Sequence, residues 1–327
     1  MNEQMRHLSD MQLPVRDVAR IYGAMLRIRR VEEEIERLYP TDKIKSPVHL
    51  SIGQEAASVG VCDVLRSDDV VFASYRGHAA YLAKGGDLKR MVAELYGKAT
   101  GCGGGKSGSM HLIDAAAGMM GTSAVVGTTI PQAAGYAFAL KSAKSDRVVV
   151  CFFGDGATEE GVFHETMNFA ALKKLPVLFV CENNLYAIHS HIRDRLSNLD
   201  FCARARAYGM PAERIAANDV FALRDATTAA VQELRGGGGP RFIEIETYRF
   251  ARHVGPGADL NLQYRSEQEV ETWRERDQIA RLARLLPEAD RKRVEAEVDR
   301  EIAEAFAFAE TSPFPGGGEL LTNVFHD

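Results

Sequence analysis

Two oxygen-bearing side chains stand out near the middle of the chain. Asp155 lies in the turn Gly154-Asp155-Gly156, directly after the apolar run 148–153. Asn184 ends the segment Cys181-Glu182-Asn183-Asn184, directly after the apolar run 177–180, and the carbonyl of Tyr186 follows just beyond. A carboxylate, an amide oxygen and a backbone carbonyl can fill part of the octahedral shell of Mg2+, which keeps its other positions for water and substrate phosphates. The chemistry implied is capture of a phosphorylated ligand through a magnesium ion. Taken singly, each motif is a common turn or strand end; the spaced pair is the specific signal.

The elements that must position these groups form a strand–helix–strand unit. Both apolar runs read as strands covered on two faces. Thr158 is expected to cap the helix between them, with Glu159 and Glu160 in its first turn, and Pro176 closes the connection. A crossover of this length predicts parallel strands. Further strands are predicted at 70–74 and 242–247, the latter after the glycine run 236–239. The fold class is therefore α/β, a mostly parallel sheet with helices on both faces. In such sheets ligands bind beyond the carboxyl ends of the strands, where Asp155 and Asn184 both stand.

An amphipathic helix is predicted from Pro14 to about Tyr39, a short one over 54–65 and another over 131–140. The segments 266–286 and 288–309 read as two charged amphipathic helices on the flank. We expect residues 1–265 to form the ligand-binding domain and 266–327 its helical extension.

With 327 residues, 46% hydrophobic and 26% charged, the composition is globular. The 40 Lys and Arg against 45 Asp and Glu give a net charge of −5, which argues against nucleic acid as a partner. Five cysteines without a C-x-x-C pair argue against a disulfide framework or structural zinc, and together with Glu3, Arg6 and Asp10 in place of a secretory signal they lead us to expect a cytoplasmic protein. Residues 115–140 carry no charge and are long enough to cross a bilayer. Their Gly, Ser, Thr and Pro content suits tight packing or an interface instead, and we expect no membrane partner. The glycine-rich segment 101–109 matches parts of two phosphate-binding patterns, but lacks the strand before and the helix after that both require.

Several further motifs, in order, resemble one family. The segments 49–56 (HLSIGQEA), 74–78 (SYRGH), 108–111 (GSMH), Val126-Gly127, 181–186 (CENNLY) and 247–249 (TYR), with His253 beyond, are similar to the α subunit of two-chain, thiamine diphosphate-dependent 2-oxo acid dehydrogenases. The resemblance runs from about residue 15 to 285. It implies the thiamine diphosphate-binding fold, with thiamine diphosphate and Mg2+ as cofactors.

By matching position, Asp155, Asn184 and the Tyr186 carbonyl would hold the magnesium, and Gly154 and Gly156 would flank it in the cofactor loop. Tyr75, Arg76 and Arg249 would contact the diphosphate, for which a guanidinium is a suitable partner. The Val126 backbone would bond the aminopyrimidine. His49 and His253 would stand at the reacting end as catalytic residues, whereas His78 and His111 are divided between loop ordering and catalysis. The chain departs from the family's common His-Gly-His-Ser loop with Ala251-Arg252-His253-Val254, a longer continuation through Gln263, and histidines at 189 and 191.

The resemblance implies an α subunit that needs a β subunit, as an α2β2 heterotetramer, to decarboxylate a small-molecule 2-oxo acid. The acyl unit would pass to lipoamide on an acyltransferase partner. Two other readings stand beside it: a thiamine diphosphate-dependent carboligase subunit of acyloin-forming or transketolase type, and a non-catalytic binding or regulatory subunit. Glu55 is an internal candidate for the acid beside the aminopyrimidine, although its place at a helix start suits the helix dipole.

Overall fold

The computed structural model describes residues 14–322 and 324; the N-terminal residues Glu3, Arg6 and Asp10 lie outside that range. In chain order the main elements are α1 (Val15–Leu38), α2 (Glu55–Cys62), β1 (Val70–Ser74), α3 (His78–Ala83), α4 (Leu88–Leu95), β2 (Met119–Ser123), α5 (Thr129–Ser142) and β3 (Val149–Gly154). They continue with α6 (Gly161–Lys173), β4 (Val177–Asn183), a hairpin of β5 (Tyr186–Ala187) and β6 (Ser190–His191), α7 (Ile192–Arg195), α8 (Phe201–Ala207), β7 (Ala212–Ile215), α9 (Val220–Arg235) and β8 (Arg241–Glu246). Three helices close the fold: α10 (Glu267–Arg274), α11 (Gln278–Ala283) and α12 (Glu288–Thr311).

Six strands make one parallel sheet in the order β2-β1-β3-β4-β8-β7. Alternation along each strand sends side chains to two separate cores. Val71, Val150, Phe152, Leu178, Val180, Ile243 and Ile245 face a layer built from α1, α2, α4, α9 and α12. Val70, Phe72, Val149, Cys151, Phe153, Val177 and Phe179 face α5, α6 and α8. Both faces are thus covered, which is why the central strands read as continuous apolar runs. The chain leaves β1 for β2 on one side and returns to β3 on the other, so the strand order reverses between β1 and β3. At this point the loops splay apart and leave a crevice at the carboxyl ends.

Two sequence expectations change. Thr158 does not cap α6: residues Asp155–Glu159 form a 3-10 turn, and α6 begins at Gly161 behind Glu160. The Thr158 hydroxyl donates instead to the Asp155 carbonyl at 2.8 Å, so it braces the Asp155 turn. The segment predicted as one helix over 266–286 is two, because Asp277 caps Ile279 at 2.8 Å and turns its other oxygen to Arg29, also at 2.8 Å. The uncharged stretch 115–140 holds a short turn, strand β2 and most of α5. Among the described residues no helix is long and apolar enough to cross a membrane.

The glycine-rich segment 101–109 has an internal anion. The buried Glu94 carboxylate accepts the amides of Gly103 (2.8 Å), Gly105 (2.9 Å), Ser107 (2.7 Å) and Gly108 (3.0 Å). Amides that could cradle a phosphate are therefore spent on a side chain of α4. Glycine is required here: at Gly105 (φ +79°) a Cβ would lie 2.7 Å from the Gly97 backbone. We predict that Glu94→Ala lowers stability by roughly 3 kcal/mol, because charge-assisted bonds are lost and the amides must find water. Urea unfolding measures the loss, and faster tryptic cleavage after Lys106 would localise it to this segment.

Candidate active site

The crevice at the switch point is a cavity of about 320 Å3. Most of its lining comes from strand ends. The end of β1 supplies Ser74, Tyr75 and Arg76; the loop after β2 supplies Val125, Val126 and Gly127; the end of β3 supplies Gly154, Asp155 and Gly156. Asn184 and Tyr186 come from the end of β4, and His253 from the loop after β8.

Asp155 is 1% exposed. Burial pushes its carboxyl up, against which the Arg195 guanidinium and nearby backbone amides pull it down. Arg195 bonds to one Asp155 oxygen and to Glu159, and its Nε donates to the Ser190 carbonyl at 3.1 Å. Asn184 is oriented from two sides: its amide nitrogen donates to Gln54 Oε1 at 3.2 Å, and its oxygen accepts the Tyr186 amide at 3.1 Å. Leu185 (φ 73°) and Ile188 (φ 55°) hold left-handed backbone around Tyr186, a conformation that costs branched and bulky residues on the order of 1–3 kcal/mol. Gly156 lets the two loops touch, since a Cβ there would sit 2.9 Å from Ala187 Cβ.

Another part of the site is aromatic. The rings of His49 and Tyr75 lie 4.5 Å apart, His49 and His253 5.1 Å, and Tyr75 and His253 5.8 Å. His49 backs the other two without lining the cavity itself. Burial, reinforced by the Arg76 guanidinium, pushes both histidines down to about 3, so both imidazoles are neutral near pH 7. Arg76 is buried and brought down to about 10 by desolvation and by Arg249; its donors reach the Leu50 carbonyl (2.6 Å) and the His253 carbonyl (3.2 Å). Glu182, also at the wall, is raised to about 7 by burial against the pull of Arg76 and Gln54.

Arg249 stands apart from the cavity wall. It is 2% exposed and donates to the carbonyls of Ala251 (2.7 Å) and Ile188 (3.3 Å) and to the Tyr264 hydroxyl (2.9 Å), with Asp259 at 3.4 Å. His78 is locked between Glu32 (3.0 Å) and Ser109 (2.7 Å) with no exposed surface, which makes it a tie between α1, α3 and the glycine-rich segment. His111 is exposed; His191 caps α7 through the Arg193 amide, and the His189 ring lies 4.7 Å from Tyr264. Glu55 is tied to Arg29 (2.5 Å) and the Gly53 amide (3.1 Å), outside the cavity lining. Among the described residues, Asp200, Cys202 and Glu244 also have metal-like spacing, but Glu244 is satisfied by Arg214 and Asn183, both at 2.9 Å.

The sequence profile of the dehydrogenase E1 component matches residues 23–317. The chain belongs to this family. It is 40% identical over 310 residues to the alpha subunit of acetoin:2,6-dichlorophenolindophenol oxidoreductase from Bacillus subtilis, covering 93% of this chain and 92% of that one. It is 39% identical to the chloroplastic pyruvate dehydrogenase E1 component subunit alpha-3 of Arabidopsis thaliana, over 94% of this chain and 74% of that one. The corresponding subunit of Zymomonas mobilis is 37% identical, over 94% and 88%. The chain is thus an α subunit of the thiamine diphosphate-dependent 2-oxo acid dehydrogenase type, as the motif order implied.

For this E1-type subunit, sequence reasoning overlooked three groups at the site. Gln54 and Glu182 were present in the quoted motifs as spacers, and only their approach to Asn184 and Arg76 gives them a role. No local pattern marks Arg195, which meets Asp155 from 40 residues away.

The neutral histidines have a consequence for stability. Below about pH 6.5 the unfolded chain takes up protons at His49 and His253 that the folded chain refuses until about pH 3. Stability therefore falls as pH drops through that window and is unaffected by them above it. We expect the double variant His49→Gln, His253→Gln to lose less melting temperature than the unmodified protein between pH 7 and pH 4.5. Equal slopes in differential scanning calorimetry would contradict the burial of these rings.

Proposed function

We propose that the cavity binds thiamine diphosphate through Mg2+, with Asp155, Asn184 and the Tyr186 carbonyl as the protein's metal ligands. The observation that carries this reading is one wall holding a buried carboxylate, an amide fixed by Gln54 and a carbonyl set between two left-handed residues. These are hard oxygen donors, the set Mg2+ prefers over softer metals. Tyr75 and Arg76 would contact the diphosphate, Gly154 and Gly156 would flank the metal in the cofactor loop, and the Val126 backbone would bond the aminopyrimidine. Arg249 orders the two loops that carry Tyr186 and His253, since its donors join the Ile188 and Ala251 carbonyls.

Bound there, thiamine diphosphate supplies a carbanionic carbon that attacks a 2-oxo acid carbonyl and accommodates the electron pair left when carbon dioxide departs. The chain's own task is orientation and proton handling. A neutral His253 offers one N–H and one lone pair, so it can bond the substrate or pass a proton without adding charge to the cavity. His49 packs on its ring and keeps it turned inward. The acyl unit would leave to lipoamide on an acyltransferase component.

A β subunit completes the site in this reading, in an α2β2 assembly. Val125 and Val126 are 63% and 42% exposed at the cavity mouth, where a covering partner would bury them. Glu55, the internal candidate for the acid beside the aminopyrimidine, is committed to Arg29 and Gly53. A second reading, cleavage of acetoin with release of acetaldehyde in place of carbon dioxide, draws support from the 40% identical relative named for acetoin. Assaying both volatile products with the α and β chains co-purified separates the two.

Asp155→Ala should abolish magnesium-dependent cofactor binding, since the diphosphate loses its bridge to the protein; calorimetry with thiamine diphosphate and Mg2+ checks this, and unchanged affinity would refute the metal assignment. His253→Ala should lower single-turnover decarboxylation by about a hundredfold at saturating cofactor, with a much smaller change in cofactor affinity. Turnover at the unmodified rate would remove His253 from the chemistry.

A further inference from the structure

Arg195 is the unassigned charge of the cavity. The acidic groups in the lining are Asp155, Glu159, Glu160 and Glu182, and the two arginines are Arg76 and Arg195. A diphosphate brought into such a lining needs cationic donors as well as a metal. Arg76 has donors on the Leu50 and His253 carbonyls, and Arg249 lies behind the wall. Arg195 differs because two of its three donating nitrogens point at the carboxylates of the metal loop, Asp155 and Glu159.

Its position is built rather than incidental. The side chain is 11% exposed, and its Nε is anchored on the Ser190 carbonyl at 3.1 Å. Ser190 belongs to the same hairpin that presents Tyr186. Glu159 holds a second nitrogen at the rim. With those two anchors, the guanidinium stays at the cavity when its contact with Asp155 is given up.

We propose that Arg195 is a diphosphate-binding residue. This rests on the reading above that the cavity takes magnesium and thiamine diphosphate. Arg195 first holds the Asp155 carboxylate in place. When magnesium takes Asp155, two neighbouring cations cannot share that oxygen comfortably, and the freed nitrogen of Arg195 donates to a phosphate oxygen brought in with the metal. The guanidinium thereby neutralises charge that Mg2+ alone leaves on the diphosphate, and Glu159 keeps it from swinging out to solvent.

The test uses the α chain co-purified with its β partner and isothermal calorimetry at fixed Mg2+. The probes are thiamine diphosphate and inorganic pyrophosphate. Arg195→Gln should weaken both by the same factor, about tenfold to a hundredfold, as expected for loss of one charge-assisted bond. Arg195→Lys, which keeps the charge, should stay within a few-fold of the unmodified protein, and it serves as the folded control if the glutamine variant is insoluble. Unchanged or tighter binding by Arg195→Gln would overturn the inference, tighter binding marking Arg195 as a competitor of the metal. A loss for thiamine diphosphate without one for pyrophosphate, or an equal loss in both variants, would overturn it too. If the unmodified complex binds neither probe, the cofactor reading itself fails and this inference falls with it.

Discussion

A carboxylate buried at the end of an apolar strand is the constraint on which the rest of this site depends. Asp155 follows Val149–Gly154, whose strand residues are packed on both faces, and a charge in that position persists only among cations and donors. Its surroundings are arranged accordingly. Thr158 clamps the turn through the Asp155 carbonyl, Gly156 lets the Tyr186 hairpin close on it, and Arg195 returns from that hairpin to pair with it. Even α6 starts later than its sequence suggests, because the first residues after Asp155 are spent on the turn. The loop's geometry follows from satisfying one charge.

The aromatic part of the site obeys a different rule. His49, Tyr75 and His253 pack ring against ring beside the guanidinium of Arg76, and a protonated imidazole there would add a cation to a cation in a poorly solvated place. The rings therefore stay neutral. The cavity thus combines a buried carboxylate at Asp155 with neutral imidazoles beside the Arg76 guanidinium. Two non-glycine residues in left-handed backbone, Leu185 and Ile188, hold the segment that carries the Tyr186 carbonyl.

How far the sequence foretold this depends on whether the cause was local. Strands β1, β3, β4 and β8 were legible because burial on both faces demands an unbroken apolar run. Strands β2 and β7 were not: Met119–Ser123 contains Gly121 and Thr122, and Ala212–Ile215 contains Glu213 and Arg214, compositions that edge positions tolerate. Helix α9 also escaped the reading, though its burial stripe is regular. At the site, Asp155, Asn184 and the Tyr186 carbonyl could be named from spacing, and the other motif residues from the family resemblance alone. Arg195 and the Glu94 carboxylate could not, since each acts across the fold on a loop whose own sequence does not mention it. The glycine-rich segment shows the cost of reading only locally: its pattern fits a phosphate cradle, and its occupant is a side chain.

The location of the cavity also limits what one chain can do. A parallel sheet delivers its loops to a single edge, so five strand ends can surround a ligand from below and from the sides but offer nothing above it. In the lining, Val125 and Val126 are apolar and exposed, whereas Asp155, Glu182 and Asn184 are polar and buried. Exposed apolar residues beside buried polar ones suit a surface that another protein covers. Chemistry that excludes water must then wait for that second surface, which ties turnover in the proposed assembly to subunit contact rather than to a lid within this chain.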